Sequence, residues 1–280
     1  MVQMADIAMT LSINEIQRLL ESAAIAPKKS LGQNFVIDPN TVRKIARLAE
    51  VGEGSRVLEI GAGLGSLTLA LAETGAQVTA IETDRALIPL LENTVGANAT
   101  IIEADARDLA WSDVVSTPGW SLVANLPYNI ATSLVLTVLD EVPNINRLLV
   151  MVQQEAGERI AASVGDPAYG AVSVRVALRG SAKIVGHVPP SVFFPTPRVN
   201  SVLVAIERGP NTVDENIENE LIELLRIAFT HRRKMLRRSL KGRVEQTTLE
   251  TANIAPTSRP EELDLNQWVT LAQLSSLIKP

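Results

Sequence analysis

The sequence predicts an α/β protein: a mostly parallel sheet covered by helices on both faces, followed by a smaller C-terminal domain made only of helices. Three observations predict it. Short β-rich runs alternate with helical stretches from about residue 56 onward. A glycine-rich turn joins the first such run to the helix after it. Beyond residue 209 the β-rich runs stop and the apolar spacing becomes helical.

The elements follow in order. Residues 13–25 place Ile13, Ile16, Leu19 and Leu20 on one side of an amphipathic helix. A basic loop at 27–35 comes next, and Asp38-Pro39 opens a helix to about Glu50, with Pro at the first helical position. Strands are expected at 56–60, 77–82, 100–103, 121–125 and 147–152, with helices near 66–74, 84–94 and 131–140. Strand–helix alternation of this kind implies right-handed crossovers. Two further strands, 182–188 and 199–206, flank a Pro-rich loop and read as a closing hairpin. Residues 209–220 are polar and read as a linker, and helices are expected near 217–230, 232–240, 245–250 and 260–277.

Composition narrows the chemistry. The chain has 280 residues, 46% hydrophobic and 20% charged, enough to bury a core. It has no cysteine, which excludes disulfides, thiolate metal sites and a cysteine nucleophile, and with two histidines a histidine-rich metal site is not expected. The first basic residue is Arg18, after Asp6 and Glu15, unlike a secretory signal, and no apolar run is long enough to span a bilayer. A cytoplasmic protein without a membrane partner is the expectation. Net charge is −5, yet Arg226 to Arg243 holds eight Lys/Arg and no Asp/Glu, a local basic footprint on an acidic body.

The first candidate site is Glu59-Ile-Gly61-Ala-Gly63-Leu-Gly65, between a strand and a helix. Three glycines at alternate positions let the backbone turn sharply and approach a ligand. The spacing differs from the G-x-G-x-x-G of dehydrogenases and resembles the S-adenosylmethionine loop on the sheet of class I (Rossmann-like) methyltransferases. Glu82 ends the second strand, where an acid accepts hydrogen bonds from ribose hydroxyls, and Asp105 follows the third, placed to receive the amino group of the cofactor's adenine.

The second candidate site is Asn125-Leu126-Pro127-Tyr128, at the end of the fourth strand. An adenine amino nitrogen is a weak nucleophile because its lone pair is delocalised into the ring. The Asn125 side-chain oxygen and the Leu126 carbonyl, aimed by Pro127, would accept its hydrogens and draw it toward tetrahedral geometry. Tyr128 offers a face for an extruded base, worth roughly 1–3 kcal/mol. Phe193, in the Pro-clamped Phe193-Phe194-Pro195-Thr196-Pro197, is expected to form the opposite wall. Arg226, Arg233, Arg237 and Lys241 are spaced by seven, four and four, which puts them on one face of a helix suited to RNA phosphates.

Taken together, KKSLGQNFVID (28–38), LEIGAGLGSLT (58–68), IETD (81–84), ANLPYNIATSL (124–134), QQEAGERI (153–160), AYGAVSV (168–174), VFFPTPRVNS (192–201) and AFTHRRKMLRRSL (228–240) resemble the KsgA/RsmA/Dim1 family of ribosomal RNA adenine N6,N6-dimethyltransferases, its bacterial branch in particular. The resemblance runs from Lys28 to about Leu240. It implies dimethylation of two adjacent adenosines in the 3′-terminal hairpin loop of small-subunit (16S) rRNA during ribosome biogenesis. The cofactor it implies is S-adenosyl-L-methionine, with S-adenosyl-L-homocysteine as the product, and no metal is expected. The expected partner of this monomer is small-subunit rRNA or a pre-30S particle. The resemblance also implies that Asn34, Val36, Gly61, Gly63, Glu82, Asp105 and Asn125 line the cofactor, with residues 33–35 as a lid, and that Tyr128 and Phe193 hold the adenine.

The expected organisation is an N-terminal helical extension (1–27), an S-adenosylmethionine-binding methyltransferase domain (28–208) and a C-terminal helical RNA-binding domain (209–280). The competing readings are an Erm-type large-subunit rRNA adenine N6-methyltransferase, which shares the cofactor motifs but is commonly basic overall, and a non-catalytic ribosome assembly factor.

Overall fold

A computed structural model describes residues 10–210 and 212–277, so the first nine residues of the expected extension lie outside the described residues. In chain order the elements are α1 (Ile13–Ser22), β1 (Phe35–Val36), α2 (Pro39–Leu48), β2 (Arg56–Ile60), α3 (Ser66–Ala72), β3 (Gln77–Glu82), α4 (Ile88–Val95), β4 (Ala99–Glu103), α5 (Trp111–Val114), β5 (Trp120–Asn125), α6 (Ala131–Glu141), β6 (Ile145–Gln153), α7 (Gln154–Ala161), α8 (Ala171–Arg179), β7 (Gly180–Val188), β8 (Phe193–Phe194), β9 (Ser201–Arg208), α9 (Glu215–Thr230), α10 (Leu236–Ser239), α11 (Gln246–Thr251) and α12 (Leu265–Leu277). The chain divides into two compact units. One takes the residues up to Gly157 with Lys183–Arg208, the other Glu158–Ala182 with the residues from Gly209 onward.

The first unit is built on a seven-stranded sheet of order β4-β3-β2-β5-β6-β9-β7. Strands β2 to β6 pair in parallel and β9 runs antiparallel to β6. With both faces covered by helices, the central strands are near-continuous apolar runs, as in Leu148–Val152 of β6. Strand order reverses between β2 and β5, which opens a crevice at their C-terminal ends. Helix α2 begins where Asp38 accepts the N–H groups of Asn40 (3.2 Å) and Thr41 (3.0 Å), a cap worth about 1 kcal/mol. A separate two-stranded ribbon pairs β1 with β8, Phe35 opposite Phe194 and Val36 opposite Phe193. Two-residue strands leave no periodicity in a sequence, and nothing in the sequence predicts this ribbon.

The second unit is a helical core around Tyr169, Val174, Leu221, Leu225, Leu236 and Trp268. One stretch left unassigned by the sequence is filled here, and three expectations are corrected. The sequence assigns no element to residues 153–181, and they carry α7 and α8. The run AVSVRVALR alternates valine with other residues and reads equally well as a strand. It is helical because Val174 and Leu178, one turn apart, both bury in the helical core. For the same reason Glu158–Ala182 belongs to the second unit, although the sequence suggests one domain over 28–208. The linker expected at 209–220 is cut short, because the Asp214 carboxylate caps α9 through Asn216 N–H at 2.9 Å.

The third correction concerns the basic face. Arg226, Arg233, Arg237 and Lys241 do not share one helix. Helix α9 stops at Thr230, and the chain turns before the single-turn α10. There Leu236 N–H donates to Ser258 O (2.8 Å) and Arg237 N–H to Pro256 O (3.1 Å), while Leu236 and Leu240 are fully buried. Burying these leucines against the 256–258 backbone takes precedence over helical continuity.

Candidate active site

The crevice between β2 and β5 deepens into a cavity of about 780 Å3, open mouth included. Gly61, Gly63, Glu82, Asn34 and Val36 line it, together with all four of Asn125, Leu126, Pro127 and Tyr128. Nine sequence-predicted residues therefore meet in one place.

The glycine loop forms one wall. Gly63 has φ +59°, and a Cβ there would lie 3.1 Å from the Phe35 ring, so a side chain would be both strained and crowded. Its N–H donates to Glu82 Oε2 at 2.7 Å, while Glu82 Oε1 accepts from Asp84 N–H (2.8 Å) and Thr83 N–H (3.0 Å). Burial raises the Glu82 carboxyl above its ordinary range, and these three N–H groups oppose the rise. Glu59 also lines the cavity. It is 2% exposed, and its Oε2 has no hydrogen-bond partner among the described residues. Burial pushes its carboxyl up to about 8, with the neighbouring Glu82 charge adding to the shift. In the sequence Glu59 is only the acid before the glycines, without a role. Its position on the inner end of β2 was the available signal.

The opposite wall is the Asn125–Tyr128 segment. Leu126 N–H is tied to Met151 O (3.1 Å) and the Pro127 carbonyl accepts Ile130 N–H (3.1 Å), which holds the turn leading into α6. The Leu126 carbonyl accepts no hydrogen bond among the described residues. Asn125 Nδ2 donates to the backbone carbonyl of Asn34 at 3.0 Å, leaving the amide oxygen as its free end. Tyr128 is half-buried, and its hydroxyl lies 2.7 Å from Ser201 Oγ, on a side chain that is itself fully buried at the start of β9. Burial raises the Tyr128 phenol, so it stays protonated. Ser201 was missed as a site residue. It ends the VFFPTPRVNS motif, but nothing in the sequence places it beside residue 128.

The segment before β1 closes the cavity from above. Phe35 packs over Gly63, and Ile16 of α1 joins the lining, so the helix expected as an extension contributes to the site. Gly32 turns at φ +64°, where an added Cβ would sit 3.0 Å from Pro127 Cβ.

Two predicted residues are not brought into this wall. Asp105 stands just past β4, paired with Arg107 at 2.6 Å, whose hydrogen bonds hold its carboxyl below the usual range. Phe193, expected as a wall of the base pocket, is 1% exposed and packs in the core with Val36, Val42 and Val188. Alternation along β8 turns Phe193 to the core, and its neighbour Phe194 packs against the cluster that holds Phe35 and Leu64. In the second unit, Arg233, Arg237 and Lys241 are exposed. Arg226 is paired with Glu223 at 2.7 Å, Arg232 with Glu261 and Arg243 with Glu220. The basic segment is therefore partly neutralised by acids outside it, which reading along the chain did not anticipate.

Residues 25–276 match the family model described as ribosomal RNA adenine dimethylase. The chain belongs to that family. It is accordingly an enzyme of the rRNA adenine dimethyltransferase kind, on a Rossmann-like α/β fold. It is 44% identical to the ribosomal RNA small subunit methyltransferase A of Leifsonia xyli subsp. xyli, over 92% of this chain and 96% of the relative. It is 42% identical to the protein of that name from Mycolicibacterium gilvum, over 94% and 88%. Among solved structures it resembles a dimethyladenosine transferase from Plasmodium falciparum, with a TM-score of 0.72 and 27% identity, over 84% of this chain and 94% of that one.

Proposed function

We propose that this chain dimethylates the N6 amino groups of two adjacent adenosines in the 3′-terminal hairpin loop of small-subunit rRNA, acting as a monomer on a pre-30S particle in the cytoplasm. One observation carries the reading. Asn125 presents a held amide beside the unoccupied Leu126 carbonyl, facing the cavity that Gly63 and Glu82 line. The small-subunit enzymes to which the chain is related support that target over the large subunit.

The residues present fit S-adenosylmethionine. The buried Glu82 carboxylate has acceptor capacity for ribose hydroxyls beyond the three N–H groups it already binds. The Glu59 carboxyl, protonated below about 8 and with one oxygen unpartnered among the described residues, offers a buried hydrogen-bonding group within the same cavity. Asn34 and Val36 would cover the cofactor, and Asp105 would reach its adenine by exchanging its bond to Arg107. When bound, the cofactor supplies a methyl group on a sulfonium, an electrophile that needs no strong base opposite it.

The protein's own contribution is alignment. Two acceptors, Asn125 Oδ1 and the Leu126 carbonyl, hold the two hydrogens of the amino group and turn its lone pair toward the cavity. Tyr128, fixed through Ser201, stacks the extruded adenine. Phe193 supports this pocket from the core by holding Val36 in register. Arg233, Arg237 and Lys241, with the partly paired Arg226, bind rRNA phosphates.

Incubation of the enzyme with labelled S-adenosylmethionine and unmethylated small subunits should give dimethyladenosine at two neighbouring positions of the 3′-terminal loop. Label in large-subunit rRNA instead would move the chain to the Erm-type reaction.

A further inference from the structure

Asp84 lies two residues past Glu82 and is almost fully buried, yet the cofactor reading gives it no task. Its Oδ1 accepts from Lys28 Nζ at 2.6 Å and its Oδ2 from Gln33 Nε2 at 2.8 Å. Gln33 is fixed at its other end, where Oε1 accepts Lys28 N–H at 2.8 Å. The segment from Lys28 to Gln33 is therefore a closed loop clamped on one buried carboxylate. Burial opposes ionisation of Asp84, but the hydrogen bonds from Lys28, Gln33 and Ala86 N–H prevail and keep it charged. The next residue, Asn34, presents its carbonyl to Asn125 Nδ2. The clamp thus ends one residue short of the group that fixes the catalytic amide.

That amide has two ends of similar shape and opposite polarity. With Nδ2 on Asn34 O, the oxygen faces the cavity and accepts an amino hydrogen. Turned by 180°, it would present NH2 to NH2, two donors that repel. Asn125 therefore needs an acceptor at a set place behind it, and Asn34 O stays there only while its segment is held down.

We propose that Asp84, Lys28 and Gln33 form a latch that sets the polarity of Asn125 through the Asn34 carbonyl, making them positioning residues for methyl transfer. The inference rests on the reading of Asn125 given under Proposed function. The latch also closes the segment that covers the cofactor, so it slows cofactor release as well.

The experiment compares Lys28→Ala, Lys28→Arg and Asn125→Ala, alone and combined, in the full-length enzyme. Lys28 is half-exposed, so its truncation leaves the core intact. Lys28→Ala should lower single-turnover methyl transfer about tenfold and speed S-adenosylhomocysteine release by a similar factor, the scale of one partly screened charged hydrogen bond. Lys28→Arg should restore both. In the Asn125→Ala background the further loss on transfer should shrink to less than about twofold, because no amide is left to orient. Full additivity of the two substitutions, or release and transfer within about twofold of the parent in Lys28→Ala, would overturn the latch. If the parent labels no RNA at all, the reading of the reaction fails by itself. The release rates then decide: Lys28→Ala equal to the parent overturns the latch, and faster release restored by Lys28→Arg supports it.

Discussion

The cavity and the turn after α9 both carry polar groups suited to nucleic acid chemistry, and they are built in opposite ways. In the cavity the side chains are held in place by neighbours, Glu82 by three backbone N–H groups, Asn125 by Asn34 and Tyr128 by Ser201, while the Asn125 amide oxygen and the Leu126 carbonyl are left open. On the turn, Arg233, Arg237 and Lys241 stand in solvent. The contrast separates two tasks. Orienting an amino group at a methyl donor needs atoms that do not move, so that no reorganisation remains to be done at the moment of reaction. Holding a phosphate backbone needs charge rather than position, and long exposed side chains supply it while staying hydrated.

Four sets of substitutions test that contrast, in order of expected effect. Phe193→Ala should destabilise the protein by about 3–5 kcal/mol in denaturant unfolding, the cost of emptying a core site. Phe193→Leu should keep both fold and turnover. A Phe193→Ala protein of parental stability with impaired adenine binding would instead restore the pocket-wall role. Asn125→Ala should cut single-turnover methyl transfer about 10²–10³-fold, the usual scale for losing one preorganised polar group, while thermal stability barely moves. An equal loss of stability would mean that Asn125 is structural.

Glu59 gives a pH test of the built site. Its carboxyl is near 8 when folded and close to 4.5 in the unfolded chain. Between those values the native state holds a proton that the unfolded state has released, so rising pH favours unfolding. Stability from this group is full below about 4.5 and is lost as pH climbs to about 8, by at most roughly 1.4 kcal/mol per pH unit. Glu59→Gln should flatten that decline in urea melts of the ligand-free protein. A parent whose stability is level from pH 5 to 8 would contradict it.

The smallest effects belong to the turn. Arg233→Glu with Arg237→Glu should weaken rRNA binding and reduce the slope of log affinity against log salt by about 2, near one for each phosphate left without its cation. Arg226→Glu should do less, because Glu223 already holds that charge. Equal effects from all three would mean that the pairing is irrelevant to binding.

The same contrast explains what could be read along the chain. Strands β2 to β6 and the helices between them follow from local periodicity, and Gly61, Glu82 and Asn125 follow from ending those strands. What escaped depends on the meeting of distant segments. Ser201 meets Tyr128 across 73 positions of sequence, and Gln33 meets Asp84 across 51. The basic residues read as one helical face because spacing carries no sign of the 256–258 backbone that holds Leu236 and Arg237 in a second helix, apart from the one ending at Thr230. Val174 and Leu178 sit in a segment whose alternation favours a strand, and only the core they enter makes it helical.

The ribbon of β1 and β8 joins the segment that carries Asn34 to the chain that leads, seven residues after Phe194, to Ser201. One strand lines the cavity through Phe35 and Val36 and the other leads to the support of Tyr128, so under the proposed function a shift in the ribbon would reach both binding places. Linkage then works in both directions: whatever factor cofactor occupancy adds to the hold on adenine, adenine adds to the hold on cofactor. An enzyme that must renew its methyl donor while one nucleotide stays at hand faces a conflict, since spent cofactor leaves most readily when the base has let go. The stiffness of this four-residue ribbon therefore bears on whether the second methyl is added in the same encounter as the first.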